Sequence, residues 1–390
     1  MADKLKKVAR AHTRYYLEDG RRLKMLLEKT KIYGVDGVGQ SSPTLTRTDS
    51  AVGLGYTVGQ SEIKSDFDRC YPWCEMKEVM DKFGNVFIRV PKFYTKITKN
   101  TNGTYKHQIS GCRYDGFGTL FVDGKGNELD YVLIGKYEGS YDSTNSRMMS
   151  KSGQTVKVSI TLPNYRTACK AVGAGYQQYD FLIDAIIKEL FMIEFATTNS
   201  QSIMQGFTNG ENTAALITGH TDNIKTPSGS YNNNHDLETD PWTDATCNTD
   251  GKHACKYRGI ENPWGNTWTW CDGINFKGKK VYVCESPEDY ASDKYDAPYS
   301  YMGDRKEGEG YTKVITPFDK NPLLGFTTET GAGSTTYYSD YYYCNANGTV
   351  LYCGGSWLSG VNAGLWYWFG YYSSSGAGGD FGGRLCYKPL

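Results

Sequence analysis

The chain has 390 residues and balances 43 Lys and Arg against 43 Asp and Glu. That balance excludes a built-in attraction to nucleic acid or an anionic membrane surface, and the length allows a sizeable core. No apolar run reaches the length of a membrane span, so no membrane insertion is expected, and MADKLKKVARAHTRYYLEDG lacks the apolar centre of a signal peptide, which predicts synthesis in a cytoplasm. The eleven Cys include no C-x-x-C pair and read as a reduced, structural set.

In chain order, residues 1–33 form a basic arm carrying Lys4, Lys6, Lys7, Arg10 and Arg14. Asp19-Gly20 predicts a hairpin turn there rather than a continuous helix. Residues 34–75 are rich in Gly, Ser and Thr and read as a linker or a small β segment. Residues 76–390 form the main domain. Within it, GNVFIRVPKFYTKITK predicts strands interrupted at Pro91, and TLFVDGKGNELDYVLIGKYEGS a hairpin turning at Asp123 to Asn127. A helix is expected around NYRTACKAVGAG. A second covers 179–197, where Asp180, Asp184 and Lys188 make a narrow polar stripe on an otherwise apolar, buried helix. Residues 206–256 read as a long polar loop, and short strands with Gly turns fill the rest. The fold class is α+β.

The search for chemistry returns little. GINFKGKK at 273–280 imitates a phosphate loop, but Lys280 stands where a Ser or Thr is needed and a strand follows, so a β-turn is expected. Cys247, His253, Cys255 and Cys271 match no zinc spacing, and neither H-E-x-x-H nor G-x-S-x-G occurs. DGKGNELD has the oxygen-rich look of a calcium loop without its alternating acids, leaving a structural calcium ion as the one cofactor candidate. The expectation is no catalytic residue, no resident metal and no enzyme.

The C-terminus is different. Residues 337–390 hold ten Tyr and eleven Gly but only four charged residues, Asp340, Asp380, Arg384 and Lys388. Tyr with small polar residues is the composition of adaptable binding surfaces: large contact area at low entropy cost.

Two stretches, RGIENPWGNTWTWCDGINF at 258–276 and GGSW at 354–357 with GGRL at 382–385, resemble the formylglycine-generating-enzyme type of C-type lectin fold. The matching positions are Gly265, Asn266, Trp268, Trp270, Gly354 to Trp357 and Arg384. That family's paired Cys downstream of GGS is missing here, because only Cys386 follows Trp357, so its redox chemistry is not expected. RTDSAVGL, GNVFIRVPKFYTKI, IGKYEGS, LFMIEFATTNSQSIMQG and RGIENPWGN look like the variable proteins of diversity-generating retroelements, particularly those of phages and prophages.

This resemblance implies a hypervariable surface at about 337–385, rewritten by misreading of template adenines. Such codons never reach Trp, Met, Lys, Glu or Gln. The expected variable, ligand-binding positions are Tyr338, Ser339, Tyr341, Tyr343, Leu358, Ser359, Asn362, Phe369, Tyr371, Tyr372, Gly376, Gly378 and Asp380. The expected fixed scaffold is Trp264, Trp268, Trp270, Trp357, Trp366, Trp368 and Arg384. The resemblance further implies a receptor-binding protein of a phage tail, located on the virion or alternatively on a bacterial cell surface. Its partners would be a bacterial surface protein or glycan, other tail proteins through the basic arm, and copies of itself, a trimer being expected for avidity. The rivals are a formylglycine-generating-enzyme-like oxidase and a non-varying structural tail protein.

Overall fold

The computed structural model describes residues 20–59, 61–210, 214–230 and 251–389. These form six β-sheets and three α-helices: α1 over residues 20–29, α2 Leu162–Lys170 and α3 Phe181–Phe195. The α+β reading holds at that level, with β-structure dominant.

The hairpin expected at Asp19-Gly20 gives way to α1. Asp19 lies outside the described residues, Gly20 is the first described helical residue, and the following RRLKMLLEK is built of strong helix formers. Residues 34–75, expected as a linker or a small β segment, contain strands and two short 3-10 turns, Asp66–Arg69 and Trp73–Glu75. Ile32–Val38 pairs with Thr46–Asp49 on one side and Tyr105–Ser110 on the other, and Glu62–Ser65 pairs with Tyr56–Val58 and Ser228–Ser230. Backbone pairing thus crosses the expected boundary at 75/76. The strands Val86–Pro91 and Tyr94–Lys99 appear as expected, Pro91 closing the first, and Ile274–Lys277 turns back onto Lys280–Val283 through Gly278.

The Asp123 turn is a single bridge, Val122 to Glu128, rather than a full hairpin. Both Asp123 carboxylate oxygens are spent on protein donors, Oδ1 on the Lys125 and Asn127 amides and Oδ2 on the Asn127 side chain. That use of the carboxylate is that of an Asx-type turn.

α3 forms the centre of the core. Asp180 caps it by accepting from the Ile183 amide, and all its residues but Ala185 are buried. The polar stripe is turned inward. Asp184 pairs with Lys188 and accepts from Trp368 Nε1 at 3.1 Å, while the Lys188 ammonium lies 4.0 Å from the Trp368 ring centre. These contacts stitch the helix to the sheet that carries the C-terminus.

That seven-stranded sheet is assembled from, in chain order, β1 Trp268–Cys271, β2 Gly308–Pro317, β3 Gly325–Ala332, β4 Tyr341–Cys344, β5 Leu351–Gly354, β6 Gly364–Gly370 and β7 Phe381–Gly382. Its spatial order is β3-β2-β4-β6-β5-β1-β7. The final strand, Leu385–Tyr387, inserts between Tyr176–Gln178 and Tyr131–Gly135 in a separate five-stranded sheet. The Gly- and Tyr-rich C-terminal segment is therefore integral structure.

Beneath it, the quoted motifs meet in a buried polar knot. Glu138 of IGKYEGS accepts hydrogen bonds from the Asn262 and Asn266 amides and from the backbone and hydroxyl of Thr267. Arg384 of GGRL donates to the carbonyls of Gly135, Lys136, Glu261 and Asn262. Glu261 in turn accepts from the Gly219 and Thr221 backbone and the Thr221 hydroxyl. Burial pushes both carboxyls up, Glu261 to about 7.

Candidate functional site

The site follows from strand alternation. Parallel pairing of β4 with β6 sets Tyr342 beside Trp368 and Tyr343 beside Phe369. Antiparallel pairing of β5 with β6 sets Tyr352 beside Phe369 and Cys353 beside Trp368, and β1 continues the rows with Trp270 beside Tyr352 and Thr269 beside Cys353. Successive side chains point to opposite faces of a strand. One face of the sheet thus carries Tyr342, Trp366, Trp368 and Cys353, packed in the core that contains α3. The other carries Tyr341, Tyr343, Tyr352, Tyr367, Phe369, Trp268 and Trp270.

This second face is aromatic throughout and graded in exposure. At one end Trp270 stacks on Tyr352 at 4.0 Å under cover of Phe381, and all three are buried. Toward solvent the rings run on from Phe369 to Tyr343 at 5.4 Å, Tyr343 to Tyr371 at 5.1 Å and Tyr371 to Tyr372 at 4.8 Å. Tyr371 and Tyr372 are 38% and 39% exposed. In the other direction Phe369 contacts Tyr367, which leads to Tyr341 at 6.0 Å and Tyr311 at 5.2 Å, whose hydroxyl donates to Asn362 Oδ1 at 2.6 Å. Asn362 sits on the loop that displays Leu358, 66% exposed. The continuous surface offers ring edges, phenol hydroxyls and one amide, which suits apolar contact with a few hydrogen bonds and supplies no nucleophile or acid–base pair.

The expected scaffold residues Trp264, Trp268, Trp270, Trp357, Trp366, Trp368 and Arg384 are all buried. Of the thirteen expected contact positions, Tyr341, Tyr343, Leu358, Asn362, Phe369, Tyr371 and Tyr372 lie on this surface or its adjoining loop. Ser359 is half-buried, its hydroxyl held by the Ser356 amide, and Asp380 is half-buried with its carbonyl accepting from the Trp268 amide.

Tyr338 and Ser339 do not belong with them: they are 4% and 1% exposed. Tyr338 packs toward Trp366 on the core side, and Ser339 takes a left-handed turn with its amide bonded to the Thr336 carbonyl. Gly378 is also constrained, because a Cβ there would stand 2.8 Å from the Phe381 ring, and at Gly376 it would stand 3.0 Å from the Tyr352 hydroxyl and 3.3 Å from both the Ser373 carbonyl oxygen and Tyr372 Cβ. Gly364 opens β6 at φ +152°, where a Cβ would fall 2.2 Å from Asp340 Oδ1. The space lets buried Asp340 accept from the Trp366 amide at 2.7 Å, and burial holds its carboxyl well above the usual range.

Sequence reasoning missed Tyr311, Tyr352 and Tyr367. The alternation of GLWYWFG contains the signal for Tyr367, outward between Trp366 and Trp368. Tyr311 carries none, since its place depends on pairing with Tyr341 thirty residues on.

Two thiols bear on an oxidase reading. Cys271 and Cys353, on adjacent strands, hydrogen-bond to each other in the core, and burial pushes both thiols up. They are 0% and 4% exposed, so neither is presented as a reactive thiolate.

No protein-family model matches the chain, and no curated protein matches it by sequence. Among solved structures, similar chains are the Major Tropism Determinant U1 variant, at 12% identity and a TM-score of 0.33, and the Major Tropism Determinant M1 variant, at 12% identity and 0.32. Each alignment covers 91% of this chain and 78% of the other. A superposition this loose carries no weight for function, which rests on this chain's own residues.

Proposed function

We propose that the chain is a diversified binding protein, a phage tail receptor-binding protein that contacts a bacterial surface molecule through the aromatic face of its C-terminal sheet. One observation supports this above the others. Along the outward face of β6 and the segment after it, Tyr371 and Tyr372 are exposed and Phe369, like Tyr343 of β4, is half-buried, all within reach of codon diversification, while Trp366 and Trp368, outside that reach, are buried on the core side; Tyr342 and Tyr367, within reach, are buried as well. A surface built this way changes its side chains without changing its backbone. The mechanism is binding: Tyr371, Tyr372, Phe369 and Tyr343 supply contact area, and Asn362 and the phenol hydroxyls supply hydrogen bonds. Several copies per particle would raise avidity, and the basic arm, whose residues 1–19 lie outside the described set, is the proposed attachment to other tail proteins.

The test is adsorption of purified protein to susceptible cells, comparing wild type with the double variant Tyr371→Ser, Tyr372→Ser. Loss of adsorption at an unchanged melting temperature is expected. Undiminished adsorption would favour a non-varying structural tail role instead.

A further inference from the structure

One charged side chain joins the aromatic face from outside the expected variable segment. β2 pairs with β4 so that Tyr311 stands opposite Tyr341 and Glu309 opposite Tyr343. Residues two apart share a face of a strand, so Glu309 projects on the same side as Tyr311, among the Tyr side chains. Its carboxylate acts on them. Burial and then Glu309 push the Tyr341 phenol up, and Glu309 contributes, after burial and neighbouring phenols, at Tyr343 and Tyr367. Glu309 itself is exposed, and no cation among the described residues forms an ion pair with it; Lys313, on the same strand, is spent on Glu329. On the far side of the face Asp380 carries the same sign and, after burial and the Tyr372 phenol, helps to push the Tyr352 phenol up.

The rings are equally unspent. Elsewhere in the molecule cations lie over aromatic rings, Arg89 at 4.6 Å from the Tyr131 centre and Arg305 at 4.1 Å from that of Phe276. Among the described residues none lies over Tyr341, Tyr343, Phe369, Tyr371 or Tyr372. A partner docking here meets rings and negative charge together, and the complement of that pair is a cation. Loss of water on docking strengthens both attractions. Arginine suits the surface better than lysine, because its guanidinium is planar, holds water less strongly and can pack on a ring while forking to a carboxylate.

We propose that Glu309 is a specificity-determining residue of this face: it takes an arginine side chain of a receptor protein, the guanidinium donating to the carboxylate with its plane against the Tyr341 and Tyr343 rings. Residue 309 precedes the segment 337–385, so this contact stays constant while the rest of the face changes. The inference rests on the receptor-binding reading and adds the receptor's chemistry to it.

NMR titration of the full chain with acetyl-Gly-Arg-Gly-amide and with its citrulline analogue, which has the same shape without the charge, tests the contact without a receptor. The arginine peptide is expected to bind saturably and about tenfold or more tightly than the citrulline peptide, and Glu309→Gln, a change at an exposed position, to remove that preference. In adsorption to susceptible cells, Glu309→Lys is expected to lower binding about tenfold or more. Treating the cells with phenylglyoxal, which blocks guanidinium groups, should do the same, and treating them with periodate, which cleaves glycan diols, should not. No saturable binding of the arginine peptide, equal affinity for the two peptides, a preference that survives in Glu309→Gln, or adsorption lost to periodate and not to phenylglyoxal would each overturn the proposal. With any of these results the receptor-binding reading still stands if Tyr371→Ser, Tyr372→Ser abolishes adsorption, whereas undiminished adsorption by that double variant removes both.

Discussion

The knot around Glu138 and Arg384 and the aromatic face around Tyr371 and Tyr372 draw on the same C-terminal segment and obey opposite rules. In the knot, Glu138 and Arg384 are committed to specific partners on distant segments, so a substitution at either leaves buried polar groups unpaired. On the face, the phenols of Tyr371 and Tyr372 donate to no protein acceptor among the bonds described, and their rings make only ring contacts, with each other and with Tyr343, Tyr352, Phe369 and Phe381. Packing and hydrogen bonding thus concentrate specificity beneath the surface and leave the surface free. A fold can carry a variable face when alternation keeps the two populations on opposite sides of the same strands.

The sharpest way to break the contrast is from the knot. Arg384→Ala strands four buried carbonyls and removes the positive charge near Glu138, and is expected to cost about 3–5 kcal/mol, read by denaturant unfolding. A cost near that of a surface change would mean the knot is not what holds the motifs together. Trp368→Ala should cost a similar or slightly smaller amount, about 3–5 kcal/mol for a buried large aromatic, because it opens the sheet–α3 contact at Asp184 and Lys188.

Next in size is a pH effect. Glu261 stands at about 7 in the fold against 4.5 as an ordinary Glu, so the folded state holds its proton more tightly. Its contribution is full below about pH 4.5 and is lost as pH rises to about 7, by up to about 3 kcal/mol. Unfolding measured from pH 4.5 to 8 should show a steeper fall in wild type than in Glu261→Gln, the slope that remains coming from the other raised carboxyls, Glu138 and Asp340. The smallest expected effects are on the face. Tyr371→Ser and Tyr372→Ser should each change stability by about 0.5 kcal/mol or less while altering adsorption.

Much of this was legible in the sequence where periodicity is strong. The apolar run at 179–197 contains α3, and the Trp residues expected as scaffold are buried. The stripe of Asp184 and Lys188 was visible, but not that it faces the sheet, since Trp368 reaches it only through tertiary packing. Gly20 suggested a turn because a local rule was applied without the strong helix formers that follow. Residues 34–75 left a linker and a small β segment both open because their partners, such as Tyr105–Ser110 and Ser228–Ser230, are far along the chain and local composition does not record them. Tyr338 and Ser339 were grouped with the contact residues because the resemblance places them inside the expected variable segment. Burial decided against them, because the left-handed turn at Tyr337 and Ser339 swings Tyr338 inward.

The central claim is that solvent-facing positions vary while the buried aromatics between them do not. Sequencing the 3′ end of the gene across many copies from one population, together with the DNA downstream, measures this directly. The account predicts substitutions concentrated at Tyr343, Leu358, Asn362, Phe369, Tyr371 and Tyr372, none at Trp366, Trp368 or Arg384, and a downstream near-repeat differing mainly at adenines. Substitutions spread evenly over buried and exposed positions, or an invariant face with no repeat, would contradict it.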